Sequence, residues 1–284
     1  MLARRLPTIL PNMKLEEALE VTKIYSILGL ISQQEPLILK RPFRSPHHTI
    51  TPVSLIGGGA IPKPGQISLA HLGVLFLDEL PEFNRNALET LRVPLEDGKV
   101  TISRVNTTIT YPCEFMLIAS MNPCQCGYYG SKEKECTCRP EQIKKYISRI
   151  SGPLLDRIDI HIEVDGVKYK ELETKQKQET SEEIRKRVNQ ARNIQLERYQ
   201  KYHIFSNSQL TPPLIEKFCE LDNKGKQILE TAFNKLGLSA RAYNRILKVA
   251  RTIADLDESE RIQANHLAEA IQYRSLDRKY WGHN

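Results

Sequence analysis

The segment Gly73-Val-Leu-Phe-Leu77 is apolar without a break and runs straight into Asp78-Glu79. A strand with one face in water alternates apolar and polar residues. A continuous apolar strand is covered on both faces, as in a parallel sheet packed between helices. A second such run, Phe115-Met-Leu-Ile-Ala119, ends at Ser120-Met-Asn122-Pro123. Two buried strands of this kind point to an α/β fold. Open parallel sheets bind ligands at the carboxyl ends of their strands, so Asp78, Glu79 and Asn122 are candidate site residues if the two strands are neighbours. In phosphoryl-transfer chemistry one acid holds Mg²⁺ through water and the next orients the attacking water. A polar side chain such as Asn122 then hydrogen-bonds the γ-phosphate or that water. Taken alone, Asp78-Glu79 reads equally well as an ordinary acidic turn.

Around these strands the chain divides in two. Residues 1–31 have helical stretches interrupted by Pro7 and Pro11, and residues 32–70, rich in Pro and carrying Gly57-Gly58-Gly59, predict loops with short extended pieces. Residues 84–95 have helical spacing, residues 99–111 alternate around Arg104-Val105-Asn106 as a hairpin does, and residues 158–164 alternate as a third strand. Beyond Asp165-Gly166 the pattern is helical only. Thr180 with Glu183 offers a capping box, Thr211-Pro212 opens a helix, Gly237 closes one, Ser239 caps the next, and a last helix covers residues 264–274. The expected organisation is an α/β core over residues 1–168 and an all-helical region over residues 169–284.

Six cysteines in 284 residues are too few for a disulfide scaffold. Cys124, Cys126, Cys136 and Cys138, however, stand on one loop within residues 122–140. Four thiolates on a short loop surround Zn²⁺ tetrahedrally and leave no open position for catalysis, so the expected site is structural. The competing reading is a reduced, metal-free loop, because Cys-x-Cys is tighter than the usual Cys-x₂-Cys. Cys113 and Cys219 read as buried small hydrophobes. His47-His48 reads as a structural or loop pair rather than a metal site, since adjacent residues on a strand point to opposite faces.

The chain carries 41 Lys+Arg against 34 Asp+Glu, a formal net charge of +7. That permits an anionic partner, nucleic acid included, without requiring one. No apolar run approaches the roughly 20 residues that span a bilayer, and no apolar leader follows the basic start of the chain. The reading is a soluble, cytoplasmic chain with no membrane partner.

Longer strings carry a family resemblance. Arg41-Pro-Phe-Arg-Ser-Pro-His-His-Thr49, Gly57-Gly-Gly59, Pro62-Lys-Pro-Gly65, residues 67–83, Asn122-Pro-Cys124, residues 148–159 and residues 238–247 resemble the magnesium-chelatase-like AAA+ ATPases, in particular the YifB/ComM branch. The resemblance covers essentially the whole chain. It implies a P-loop-type parallel sheet with flanking helices, followed by an all-α lid, and ATP with Mg²⁺ as cofactors. Asp78 and Glu79 then match the Walker B acids, with Mg²⁺ held by Asp78 through water, and Asn122 matches sensor 1. Arg157 matches the arginine finger that reaches a neighbouring subunit's ATP, with Arg149 a weaker candidate, and Arg241 matches sensor 2 at the nucleotide. The hairpin of residues 99–111 matches the pre-sensor-1 hairpin, where Lys99 and Arg104 are candidates for touching nucleic-acid phosphates.

The same resemblance marks a departure. In that family a Gly-x-x-x-x-Gly-Lys-Thr phosphate loop directly precedes a segment like residues 1–7; this chain starts there and has no such motif elsewhere. The expectation is therefore a truncated AAA+ sheet, without its first strand, its phosphate loop or a Lon-like N-terminal domain, and with little ATP affinity of its own. The implied whole is a homo-hexameric motor moving on DNA, single-stranded or branched, in recombination of incoming DNA. Two other readings stand beside it: a motor remodelling a partner protein, as magnesium chelatase does, and a non-enzymatic DNA-binding module built on the turn at Leu236-Gly-Leu-Ser-Ala-Arg241.

Overall fold

A computed structural model describes residues 2–104, 107–131, 134–164 and 179–274. They fall into two compact units, one of Met1–Pro7 and Asn12–Arg157, the other of Thr8–Pro11 and Ile158–Asn284. No helix among the described residues is long and apolar enough to cross a membrane.

The first unit is organised by a parallel sheet of three strands in the order β1 (Phe43–Arg44), β4 (Val74–Leu77) and β7 (Met116–Ala119). Strand β4 pairs with both neighbours: Phe43 lies opposite Val74, and Leu77 lies opposite Ala119. Val74, Leu75 and Leu77 are wholly buried, each contributing about 1.5–3 kcal/mol relative to exposure. This two-sided cover is why β4 shows no alternation. Strand β7 forms where expected but is not the doubly buried strand its apolar run predicts: Met116 is 46% exposed and none of Met116–Ala119 is fully buried, and among the described residues β7 is paired on one side only.

Helices flank the sheet: α1 (Leu15–Ile27), α2 (Pro52–Ile56), α3 (Gln66–Leu69), α4 (Arg85–Glu89), α5 (Arg92–Asp97), α6 (Pro140–Ile147) and α7 (Gly152–Leu155). The helix expected over residues 84–95 is broken into α4 and α5 at Thr90-Leu91. Pro94 explains the break: its ring clashes with the carbonyl four residues back, that of Thr90, and it has no N–H to offer. Two hairpins complete the unit, β2 (Gly57–Gly58) with β3 (Lys63–Pro64), and β5 (Lys99–Arg104) with β6 (Thr107–Pro112). The second is the hairpin expected over residues 99–111; its central Val105 and Asn106 lie outside the described residues.

Residues 158–164 do not form the third strand that their alternation predicts. Ile160, Ile162 and Val164 are 45%, 66% and 74% exposed, and the segment is tied by a backbone bond from His161 N–H to the Tyr273 carbonyl, 2.8 Å. A period of two gives a strand its apolar face, but the ladder requires a neighbour to bond with, and none lies beside it among the described residues.

The second unit is helical: α8 (Ser181–Tyr199), α9 (Pro212–Phe218), α10 (Asn223–Leu236), α11 (Ala240–Leu256) and α12 (Ala264–Gln272). Its termini follow the sequence signals. Thr180 N–H donates to Glu183 Oε2 at 2.7 Å while Glu183 N–H donates to Thr180 Oγ1 at 3.3 Å; Gly237 caps α10 in the left-handed region, and Ser239 Oγ accepts from Ala242 N–H. Leu229, Ile246, Leu247, Ala250 and Leu267 form the core. Beside it Asp255 is buried, accepting from Arg198, Arg251 and Asn207.

Candidate functional site

Asp78 and Glu79 leave the carboxyl end of β4 with both side chains in solvent. The ladder continues beyond the strands: Ser120 N–H donates to the Leu77 carbonyl at 3.0 Å, and Leu80 N–H donates to the Ser120 carbonyl at 2.9 Å. Ser120 Oγ also donates to Asp78 Oδ1. Between these bonds Glu79 sits in the left-handed region (φ 54°, ψ 51°), a conformation that costs an L-residue with a side chain roughly 1–2 kcal/mol. The gain is a reversal sharp enough to bury Leu80 and Pro81 directly after the strand. Glu79 shares this conformation with Leu72, His203 and Glu258 and is the one of the four that ends a buried parallel strand.

A residue the sequence did not assign to this site is His48. Because β1 runs parallel beside β4, the residues after Arg44 arrive at the same sheet end as Asp78-Glu79. His48 Nδ1 lies 3.8 Å from Glu79 Oε2, its ring 4.0 Å from that of His47 and edge-on to Phe83 at 6.4 Å. Nothing in the string His47-His48 carries this; the pairing of β1 with β4 does.

Asn122 is exposed two residues past Ser120, so the β4–β7 pairing brings it to the same end as the acids. The other side of the acid turn is held by α6. Tyr146 is buried, and burial, then the charge of Glu82, raises its hydroxyl above the ordinary value, opposed by a hydrogen bond from the backbone of Asn122. Arg149 Nη1 donates to the Pro81 carbonyl at 3.2 Å and to Glu82 Oε2 at 2.9 Å.

Between Asn122 and α6 stands the cysteine loop, of which residues 132–133 lie outside the described residues. The four sulfurs lie within 4.8 Å of one another, with Cys124–Cys126 at 3.3 Å, Cys124–Cys136 at 3.7 Å and Cys126–Cys136 at 3.6 Å. A tetrahedron with Zn–S bonds of about 2.3 Å has edges of roughly 3.8 Å; the donor set fits zinc. The backbone of Tyr128 draws the Cys126 thiol down to about 5. Cys136 is favoured as thiolate by the Cys138 backbone, yet burial and the thiols of Cys126 and Cys124 push it up to about 12. One negative sulfur thus opposes the next, which is the imbalance a cation removes. Cys113 and Cys219 are buried, and burial pushes their thiols up to about 12 and about 11, the behaviour of inert small hydrophobes.

The two hairpins brace each other. Arg104 Nε donates to the Gly59 carbonyl at 3.2 Å, and the Tyr111 hydroxyl donates to the Pro62 carbonyl at 2.8 Å. Gly57 is crowded from both hairpins: a Cβ on it would stand 2.4 Å from the Lys63 carbonyl oxygen of its own hairpin and 2.8 Å from the Ile102 side chain of the other. Arg104 is exposed at the tip of its hairpin, opposite Thr107, whereas Lys99 lies at the far end, opposite Pro112. Five strand steps separate them by roughly 17 Å.

Arg157 is turned inward within the first unit. Its Nε donates to the Arg92 carbonyl at 3.0 Å and Nη1 to the Pro153 carbonyl at 2.7 Å, while Nη2 pairs with the Glu96 carboxylate. Its side chain is 7% exposed. Arg241 belongs to the second unit, exposed in the first turn of α11.

Comparison with known proteins agrees with this architecture. The family of magnesium chelatase subunit ChlI matches residues 1–172, and the family of its C-terminal domain matches residues 178–274. The chain is 46% identical over 282 residues to the uncharacterized protein YifB of Escherichia coli, covering 98% of this chain and 54% of that protein. It is 47% identical over 283 residues to the competence protein ComM of Haemophilus influenzae, covering 98% and 53%. It is 45% identical over 282 residues to the uncharacterized protein YifB of Salmonella typhimurium, covering 98% and 54%. The chain therefore spans about half the length of these relatives. With a parallel sheet, flanking helices and a helical C-terminal region matched from end to end, the chain belongs to the magnesium-chelatase-like AAA+ family, in the branch of YifB and ComM.

Proposed function

We propose that this chain is part of an ATP-driven AAA+ motor of the YifB/ComM type that acts on single-stranded or branched DNA. The observation that carries the reading is the acid turn: two exposed carboxylates at the end of a buried parallel strand, one bonded to Ser120 and the other held in a left-handed conformation. Asn122 stands at the same sheet end. Mg²⁺, when bound, neutralises phosphate charge and orders the leaving group. Asp78, exposed and oriented by Ser120, fits a water-mediated contact to it; Glu79 orients the attacking water and Asn122 hydrogen-bonds that water or the γ-phosphate. The phosphate cradle itself is not supplied here, since no Gly-x-x-x-x-Gly-Lys-Ser/Thr occurs in these 284 residues. Alone, the chain is therefore ATPase-defective.

Arg157 serves a neighbouring subunit's ATP in a homo-hexamer, which requires it to leave Glu96; Arg149 is the weaker candidate. Arg241 reads the nucleotide from the helical region. Arg104 and Lys99 contact DNA phosphates, drawing on the net charge of +7. Cys124, Cys126, Cys136 and Cys138 hold a structural zinc. The place of action is the cytoplasm, where DNA and ATP meet.

Titration of single-stranded and branched DNA into the 284-residue chain at about 50 and 200 mM salt tests the DNA assignment. The expected result is binding that weakens steeply with salt, and further with Arg104→Ala and Lys99→Ala. Absence of binding at low salt overturns it in favour of a motor acting on a partner protein.

A further inference from the structure

We propose that metal loading of the four-cysteine loop sets the geometry of the acid turn, so that metal occupancy regulates the site carried by Asp78 and Glu79. The inference rests on the reading of the four cysteines as a metal site and goes beyond it.

Both ends of the loop hold the same turn. On entry, Ser120 lies four residues before Cys124; its hydroxyl bonds Asp78 and its carbonyl receives Leu80 N–H. On exit, α6 begins at Pro140, two residues after Cys138. Its Tyr146 meets the backbone of Asn122, and Arg149 beyond it grips Pro81 and Glu82. The acid turn is thus clamped between two segments that the loop joins.

The loop has little else to fix the separation of these segments. Between Cys126 and Cys136 it carries Gly127 and Gly130, both with positive φ, the exposed Tyr128 and Tyr129, and charged residues. Its bonds are local: Gly127 N–H to the Cys124 carbonyl, Ser131 N–H to the Tyr128 carbonyl, and Lys134 to Ser131 Oγ and the Tyr128 hydroxyl. A segment of this size, with none of its described residues between Cys126 and Cys136 buried, is marginal by itself. Four thiolates on one divalent cation replace that missing core and draw Cys124 and Cys138, hence Ser120 and α6, into one arrangement. Cys124 is fully buried while the other three are partly exposed, so the centre is anchored in the body of the unit yet open to exchange.

The test uses the full 284-residue chain, stripped with a chelator and reloaded with Zn²⁺, with Co²⁺ as an optical probe of tetrathiolate binding. Amide exchange is followed at Leu80, Glu82, Ser120, Asn122 and α6. The expected result is one metal per chain and exchange at Leu80 and Ser120 slowed by about fivefold or more on loading, reversed by chelation. In Arg149→Ala the metal still binds but the acid turn no longer responds. Metal uptake with unchanged exchange at Leu80 and Ser120 overturns the coupling and leaves the metal site standing. No uptake by the wild-type chain overturns both. Cys136→Ser abolishes uptake and response together, and reversible loading of the wild type keeps the outcome readable if that variant fails to fold.

Discussion

Ser120 and Asp78 are joined side chain to side chain across the β4–β7 pair, while the backbone of Ser120 holds Leu80 on the far side of Glu79. One residue of the edge strand thereby fixes both flanks of the acid turn. Ser120→Ala removes the hydroxyl and keeps the backbone bonds. The expected loss is about 0.5–1 kcal/mol in urea unfolding, at the low end for a hydrogen bond because Asp78 is exposed.

Glu79 pays for its position with backbone strain. Glu79→Gly relieves it and is expected to leave stability unchanged or raise it by up to about 1 kcal/mol, the greater freedom of unfolded glycine offsetting part of the gain. Glu79→Gln keeps the strain and is expected to be neutral. A marked destabilisation by Glu79→Gly, measured as the urea midpoint, contradicts the strained turn.

Arg157 and Glu96 are coupled by burial of one partner and half-exposure of the other. Glu96→Ala leaves the guanidinium with its two carbonyl acceptors but without its counter-charge. A loss of about 1–2 kcal/mol is expected, less than for a fully buried pair. A double-mutant cycle with Arg157→Ala then gives a clearly non-additive result. Additive losses mean that the inward pairing does not hold Arg157.

His71 gives a pH dependence with a definite sign. It is buried, and its Nδ1 accepts Glu114 N–H at 3.1 Å, which requires the neutral ring. Burial lowers its pKa from 6.5, opposed by the charge of Glu20. A histidine with a lowered folded pKa contributes stability that is complete above its unfolded value and lost as pH falls through the folded value. Wild type is therefore expected to lose more stability than His71→Asn between about pH 7 and pH 5. Equal losses, read from urea midpoints at the two pH values, contradict the assignment.

How much of this was readable in the chain depends on how local each cause is. Strand β4 was legible because Val74 to Leu77 are buried on both faces and the composition records it. The helix ends at Thr180, Gly237 and Ser239 were legible because a cap is a contact three or four residues long. The break at Thr90 was also written locally, in Pro94, though the spacing of Leu88, Leu91 and Leu95 masked it. Residues 158–164 misled because alternation reports one apolar face and says nothing about a pairing neighbour. At the site, the acids and Asn122 announce themselves at strand ends. His48 beside Glu79, the double role of Ser120 and the inward turn of Arg157 are set by residues 31 to 61 positions apart, and arise only from the pairing of strands and helices. The triple glycine has a local cause first, the Lys63 and Ile61 carbonyls of its own hairpin, and a distant one second, Ile102 and Arg104 of a hairpin some forty residues on.

The proposed role of Asp78-Glu79 as the acid pair of an ATP motor is open to measurement. The direct test joins residues 1–284 to the part of Escherichia coli YifB outside the matched region, and measures ATP hydrolysis with and without branched DNA. The expected result is hydrolysis stimulated by DNA, reduced at least about a hundredfold by Glu79→Gln, and absent from the 284-residue chain alone. Hydrolysis that survives both Glu79→Gln and Asp78→Asn contradicts it.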